Sequence, residues 1–137
     1  MSSILEYKVG DPIPSRKWIP TELQLRQYAE ASGDYNPIHL DEMAAQKAGL
    51  EGIIAHGMLS MGYLGALMME VAGHEGILKS FSTKFRSMVR LGDLVNCQGE
   101  VIKVEQSEAG TLVTFSLQAM TQEKQVALKG TAVVLFQ

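Results

Sequence analysis

The sequence predicts an α+β fold in which an antiparallel sheet curls around one buried helix, and two observations predict it. The stretch from Gly57 to Gly73, GMLSMGYLGALMMEVAG, is apolar on every face, and Glu70 is its only charge. A helix of that kind must be enclosed by other parts of the protein. Residues 80 to 136 then resemble four strands, with partial period-two alternation and short breaks between them. These strands supply the sheet that packs on the helix.

The first 20 residues precede this core and contain three of the four prolines, Pro12, Pro14 and Pro20. Proline fixes φ and lacks a backbone donor, so we expect an extended or turned arm on the surface, with room for one short strand. No linker or internal repeat divides the chain, and 137 residues with 46% hydrophobic content predict a single domain over residues 1 to 137.

Capping residues predict a helix after the arm. Thr21 followed three residues later by Gln24 forms a capping box, and a helix is predicted over about residues 22 to 31. Gly33, which adopts positive φ easily, is expected to end it.

A second short helix and the buried helix follow. Asp41 is a favourable N-cap for a helix over residues 42 to 48, and Gly49 closes it. In the buried helix, Gly62 and Gly65 each cost about 1 kcal/mol relative to alanine, which predicts that another backbone approaches there. The apolar run is too short for a membrane span, for which about 20 residues are needed.

The strands are bounded by turn residues. We predict strands at FSTKFRSMV (81–89), LVNCQGEVIKVE (94–105), TLVTFSLQAMT (111–121) and VALKGTAVVLF (126–136). The breaks at 91–93, 107–110 and 122–125 are short enough for hairpin turns between antiparallel neighbours.

Charge and cysteine content exclude several classes of function. Twelve basic and fifteen acidic residues give a net charge of −3 without any basic cluster, so a nucleic-acid partner is not expected. Cys97 is the single cysteine, and the first residues lack the pattern of a secretory signal, which favours a reducing cytoplasm and no membrane association.

The segment ASGDYNPIHLD, from Ala31 to Asp41, concentrates the candidate chemistry. It places Asp34 and His39 within six residues, in a chain with only three histidines. At pH 7 a carboxylate is ionised, and an imidazole can give or take a proton. Because Pro37 bends the chain, both side chains can return to one side and hold one water molecule.

The N-terminus of the buried helix is a second candidate. It presents unpaired N–H groups and the positive end of the helix dipole, and Gly57 has no side chain to block a close approach. An oxygen that gains negative charge suits such a site.

Structural interpretations compete with these assignments. Asp34 would cap a turn, and His39 would donate a hydrogen bond to a carbonyl. His56 would cap the buried helix, and His74, just beyond the C-terminal end of that helix, would interact favourably with the helix dipole. The methionines of the helix suit a core, and also an apolar pocket that accommodates chains of variable length. The donors of the loop match no common zinc spacing, and no G-x-S-x-G motif is present, so neither a metal site nor a serine hydrolase is expected.

The stretch from residue 31 to residue 61, with GDYNPIHLD and then AHGM, resembles the MaoC-like dehydratases and R-specific enoyl-CoA hydratases. The resemblance begins at YKVGDPIP and returns at KFRSMVRLGD. It implies the hot-dog fold, a long central helix wrapped by an antiparallel sheet. It implies that Asp34 and His39 are the catalytic pair, with base and acid unassigned, and that the Gly57 amide binds the oxyanion. Asn36, His56 and Met58 are further candidates for substrate binding.

Two departures from the family pattern affect the active site. Gly65 stands where many R-specific hydratases have a serine that supports hydrogen bonds of the active site, and Met88 and Leu91 replace common prolines. The resemblance therefore leaves acyl chain length open.

From the residues and the resemblance together we predict a hydratase/dehydratase that interconverts 2-enoyl and (R)-3-hydroxyacyl thioesters of coenzyme A or an acyl carrier protein. No cofactor and no metal are expected. The resemblance also implies a homodimer, or a higher oligomer of dimers, with a substrate tunnel that reaches the dimer surface. The alternatives are a hot-dog thioesterase and a non-catalytic acyl-thioester-binding subunit of a heterodimer.

Overall fold

A computed structural model describes residues 7 to 137. The elements in chain order are β1 (Arg16–Trp18), α1 (Glu22–Ser32), a 3-10 turn (Pro37–His39), α2 (Glu42–Lys47), α3 (Gly57–Ala72), β2 (Gly76–Phe85), β3 (Val95–Ser107), β4 (Gly110–Thr121) and β5 (Val126–Phe136). The strands form one antiparallel sheet in the order β1-β3-β4-β5-β2. The predicted α+β architecture, with a curled antiparallel sheet packed on a helix, is confirmed.

The core lies between the inner face of the sheet and one side of α3. Along β4, alternate residues are fully buried, because successive side chains of a strand point to opposite faces. The four apolar ones belong to the same buried cluster as four residues of α3, which are Leu64, Leu67, Met68 and Ala72. No helix within residues 7 to 137 has the length and apolarity needed to cross a bilayer.

The outer side of α3 is open, although its composition predicts an enclosed helix. Met58 is 57% exposed and Met69 is 58% exposed. The prediction of complete burial is wrong for the single chain, because the sheet covers only one side of a cylinder. The methionines are accordingly divided between core and surface.

The glycines of α3 do not mark a close approach of two backbones. A Cβ atom at Gly62 would meet nothing within 4 Å, and one at Gly65 would lie 3.4 Å from the ring of Phe81. That prediction is wrong, because an aromatic side chain of β2 packs on this part of the helix.

The N-caps of α1 and α2 and the end of α1 are as predicted, whereas α2 ends at Lys47 with Ala48 as its C-cap, and the Gln24 side chain does not complete the predicted capping box. Thr21 Oγ1 accepts a hydrogen bond of 3.2 Å from the Gln24 amide, and Gly33 ends α1 with φ of 78°. The Gln24 side chain donates to the hydroxyl of Tyr63. Asp41 Oδ1 accepts from the amide of the second residue of α2 at 3.1 Å.

The N-terminal arm is only partly on the surface. Ile13 is 5% exposed and Trp18 is 9% exposed, and both belong to the core cluster. Trp18 stacks on Tyr63 of α3 with ring centroids 3.8 Å apart. The predicted short strand is β1, which joins the edge of the sheet beside β3.

The first long strand differs from its prediction in bounds and in pairing. It begins at Gly76 and ends at Phe85, which pairs with Leu128 close to the start of β5. The amides of Arg86 and Ser87 still donate to the carbonyl oxygen of Ala127, and the chain then leaves β5. Val89 instead accepts a hydrogen bond from the Ala55 amide. Since β2 pairs with β5, the break at 91–93 is not a hairpin turn between neighbours, whereas those at 107–110 and 122–125 are.

Candidate active site

The loop between α1 and α2 is shaped by three side chains that bond the backbone two residues away. Ser32 Oγ accepts from the Asp34 amide at 3.1 Å, and Asp34 Oδ1 accepts from the Asn36 amide at 3.2 Å. Asn36 Oδ1 in turn accepts from the Ile38 amide at 3.2 Å. These consecutive turns reverse the chain direction. Asn36, a candidate for substrate binding, thus helps to hold the loop.

The loop brings Asp34 and His39 together. His39 Nδ1 lies 2.8 Å from the carbonyl oxygen of Ile54. Because a carbonyl only accepts, Nδ1 carries a hydrogen, and Nε2 is left for other chemistry. Nε2 lies 3.9 Å from Asp34 Oδ2, and the side chains are 9% and 50% exposed.

This separation suits a shared water molecule. A distance of 3.9 Å is too long for a direct hydrogen bond. When His39 is neutral, both facing atoms are acceptors, and one water can donate a hydrogen to each at about 2.8 Å. A water held this way has both O–H bonds directed at groups that can remove a proton.

The buried side chain of His56 contacts both Asp34 and His39. It is 1% exposed, and its Nε2 donates to the carbonyl oxygen of Asp34 at 3.1 Å. Its ring stacks on that of His39, with centroids 3.9 Å apart, and the ring of Tyr28 makes an edge contact with it at 4.8 Å. Burial lowers the pKa of His56, and the adjacent His39 lowers it further, against the opposing effects of the Asp34 carbonyl and carboxylate. His56 therefore holds the pair as a neutral imidazole.

The N-terminus of α3 opens beside the same residues. His56 is the N-cap, yet its side chain makes no capping hydrogen bond. Among residues 7 to 137, no acceptor is bonded to the Gly57 amide. A Cβ atom at position 57 would lie 3.0 Å from Cε1 of Phe85, so glycine leaves a narrow space between helix and ring.

Two cavities meet at this point. One of about 320 Å³ is lined by Ile54, Ala55, Val89 and Leu128 on its apolar side and includes His39, Ser60 and Arg86. A second, of about 400 Å³, includes Tyr28, Ser32, Asp34 and Met58. Gly57 and Phe85 line both. In the part of the chain that the structure describes, Asn36 and His56 line neither cavity.

The arrangement does not resemble a metal site as it stands. Donor atoms of Asp34, His39 and His56 lie within 4.8 Å of one another. Ligands of a tetrahedral zinc ion are about 3.5 Å apart. The Nε2 atom of His56 already bonds the Asp34 carbonyl, and its Nδ1 is buried. The expected absence of a metal stays a prediction.

The structure adds residues that the sequence did not assign. Ser60 is 2% exposed and lines the cavity of His39, whereas Gly65, at the position of the family's serine, faces Phe81. The one available signal was that Ser60 is polar within an apolar helix. Phe85 and Tyr28 were not assigned because their contacts join distant segments.

Comparisons with known proteins identify the family. The model of the MaoC like domain matches residues 5–126. The chain belongs to the MaoC-like family. It is similar to the (R)-specific enoyl-CoA hydratase of Aeromonas caviae, with 31% identity over 112 residues, which cover 81% of this chain and 82% of that one. It is also similar to a mitochondrial 3-hydroxyacyl-[acyl-carrier-protein] dehydratase of Arabidopsis thaliana, with 30% identity over 123 residues, 88% of this chain and 72% of that one.

Solved structures agree with this membership. The MaoC-like chain superposes on an (R)-hydratase from A. caviae involved in PHA biosynthesis with a TM-score of 0.88 and 27% identity, over 98% of this chain and 100% of that one. An unliganded R-hydratase from Pseudomonas aeruginosa gives a TM-score of 0.85 and 29% identity, over 96% and 83% of the two chains. The predicted hot-dog fold and family are confirmed.

Proposed function

We propose that this MaoC-like protein is a hydro-lyase that interconverts 2-enoyl thioesters and (R)-3-hydroxyacyl thioesters. The observation that carries the proposal is the 3.9 Å separation of Asp34 Oδ2 and His39 Nε2 beside the open amide of Gly57. In hydration, one of the pair takes a proton from the shared water, whose oxygen bonds to C3 of the enoyl group. The pair then delivers this proton to C2, which returns both groups to the protonation states in which they began.

The N-terminus of α3 stabilises the charge that develops during this step. As the oxygen of water adds to C3, negative charge moves to the thioester oxygen, which the Gly57 amide and the helix dipole stabilise. The cavity beside His39 has an apolar side formed by Ile54, Val89 and Leu128, which suits an acyl chain. Every step uses side chains and backbone of this chain, so the reaction needs no cofactor.

The names of the relatives support this class of reaction. The A. caviae relative is named an (R)-specific enoyl-CoA hydratase, and the A. thaliana relative a 3-hydroxyacyl-[acyl-carrier-protein] dehydratase. They differ in the carrier that their names specify, so the carrier here is left open by these names. The A. thaliana relative is mitochondrial, and the cytoplasmic location of this chain stays a prediction.

We further propose that two copies of the chain pair through α3 and β2. Met58 and Met69 of α3 and Ile77 of β2 are each 47% to 58% exposed, and β2 is the last strand of the sheet. An unpaired edge strand beside exposed apolar side chains is a surface for association. Light scattering is expected to give a dimer that Met69→Glu dissociates. Met43→Glu on α2, at a methionine 66% exposed, is the matched control.

The test of the reaction monitors the double bond and the thioester bond of crotonyl-CoA. Hydration removes the absorbance of the enoyl thioester and releases no thiol, and we expect this result with (R)-3-hydroxybutyryl-CoA as product. Release of free thiol would instead identify a thioesterase. Binding of crotonyl-CoA without either change would identify a non-catalytic subunit, and both of these outcomes contradict the proposal.

A further inference from the structure

The outer face of the sheet carries a depression next to the mouth of the active-site cavity. It has a volume of about 330 Å³ and includes Lys84, Arg86 and Lys129. Arg86 also lines the cavity that contains His39. The depression and the candidate active site are therefore joined through this one side chain.

The three cations are not paired with carboxylates. Among residues 7 to 137, Lys84, Arg86 and Lys129 make no ion pair. Three other cations do: Arg16 bonds Glu70 and Arg90 bonds Glu51, each at 2.5 Å, and Lys103 bonds Glu105 at 3.3 Å. A chain with a net charge of −3 thus concentrates uncompensated positive charge at one place.

The register of the strands places two of these positive charges side by side, which destabilises the folded protein when no anion is bound. Lys84 of β2 is the direct cross-strand partner of Lys129 of β5. Direct partners project from the same face with Cβ atoms about 5 Å apart, and like charges there are destabilising. An anion between the two ammonium groups removes this repulsion.

Hydroxyl groups complete the site. Ser82, Thr131 and Ser116 are consecutive cross-strand partners on β2, β5 and β4, and all three line the depression. Hydroxyls donate to phosphate oxygens, and charged donors make the stronger contacts. Glu100, on the same face, lies two strands from β5, at about 10 Å by the spacing of strands.

We infer that Lys84, Arg86 and Lys129 bind the phosphates of coenzyme A while its acyl arm enters the cavity beside His39. The inference rests on the proposed function, and it selects coenzyme A as the carrier. Coenzyme A carries a diphosphate and a 3′-phosphate, whereas the phosphopantetheine of a carrier protein has a single phosphodiester. Three cations with hydroxyl donors match the more highly charged carrier.

The test compares two substrates with the same thioester. Crotonyl-CoA carries three phosphates, and crotonyl-N-acetylcysteamine carries none. In the Lys84→Gln/Lys129→Gln variant, the ratio of kcat/KM for crotonyl-CoA to kcat/KM for crotonyl-N-acetylcysteamine is expected to fall about 10-fold, through a higher KM for crotonyl-CoA. Lys103→Gln removes a charge elsewhere on the sheet and is expected to leave this ratio unchanged. An unchanged ratio in the double variant would overturn the inference.

Direct binding separates this inference from the reaction. Calorimetric titration with coenzyme A is expected to give about 10-fold weaker binding to the double variant. Weaker binding without turnover by the wild type would contradict the proposed function alone. Turnover with unaltered coenzyme A affinity in the variant would contradict the phosphate site alone. Thermal unfolding adds a third readout, since removal of the lysine pair is expected to raise the Tm slightly.

Discussion

The two ends of α3 differ in their hydrogen bonding and in how tightly other residues pack against them. At the first turn, His56 makes no capping bond, and the Gly57 amide has no acceptor among residues 7 to 137. At the last turn, the Gly73 amide donates to Met69 at 3.0 Å, and Gly76 lies directly against Ala72. One end is open toward two cavities, and the other is closed by tight packing.

The difference lies in what the capping residue does. Serine, threonine or aspartate at an N-cap would accept from an amide of the first turn. His56 directs its ring away from the helix, to the carbonyl of Asp34. The helix therefore keeps free donors at this end, and the residue that does not cap it bonds the loop that carries Asp34 and His39. Under the proposed function, this uncapped helix end is a condition for activity.

Removal of either member of the pair at the open end is expected to have the largest effect. Asp34→Asn and His39→Ala should each lower kcat for hydration about 10²- to 10⁴-fold, because each removes a group that transfers a proton. Circular dichroism should show an unchanged fold. Asp41→Asn, which replaces a nearby exposed aspartate and keeps an N-cap, serves as the control with wild-type turnover. Near-wild-type kcat in Asp34→Asn or His39→Ala would refute their assignment.

An added methyl group at the open end tests whether this space is used. Gly57→Ala places a Cβ atom 3.0 Å from the ring of Phe85, which is 53% exposed and can turn aside. We expect the Tm to stay near that of the wild type and kcat to fall up to about 10²-fold, since the oxyanion loses its close approach to the amide. Unchanged kinetics would remove Gly57 from the oxyanion site.

The same substitution at the closed end should do the reverse. In Gly76→Ala the Cβ atom would lie 2.7 Å from the carbonyl oxygen of Ala72 and 2.9 Å from the ring of Phe136. Overpacking against backbone should lower the free energy of unfolding by about 1–3 kcal/mol, measured in urea. The folded fraction should keep its kcat. A loss of kcat without a loss of stability would show that the two ends are not functionally distinct.

The smallest effect concerns the pH dependence of stability. Burial lowers the pKa of His56 from its ordinary value of 6.5, so the unfolded chain binds a proton that the folded chain resists. The contribution of His56 is thus fully present above pH 6.5 and is lost as the pH falls toward the lower pKa of the folded state. His56→Gln should reduce the difference in unfolding free energy between pH 7.5 and 5.5, and His74→Gln should not. Equal differences in all three proteins would contradict a neutral, buried His56.

The fold was largely predictable, because its signals are local. Thr21 and Gly33 bound α1 as their capping chemistry predicts, and the alternation along β4 is regular. The start of β2 at Gly76 was missed because GILKS is short and mixed in polarity, and its partner on β5 is some 60 residues later in the chain. The exposure of one side of α3 could not be predicted, because an apolar helix surface indicates burial but does not indicate whether the same chain or another one covers it.

The site was predictable only in part, for the same reason. The motif located Asp34 and His39, and Pro37 made a bend between them plausible. The stacking of His56 on His39, the ring of Phe85 over Gly57 and the tautomer set by Ile54 depend on segments that meet only in the folded chain. Sequence spacing carries no information on those distances.

A double-mutant cycle on kcat tests most directly whether Asp34 and His39 act on one water. If they do, removal of either disables the same proton transfers, and Asp34→Asn/His39→Ala should be no slower than the slower single variant by more than a few-fold. If the two losses multiply in the double variant, the residues act independently. That result would contradict a shared water between Oδ2 and Nε2.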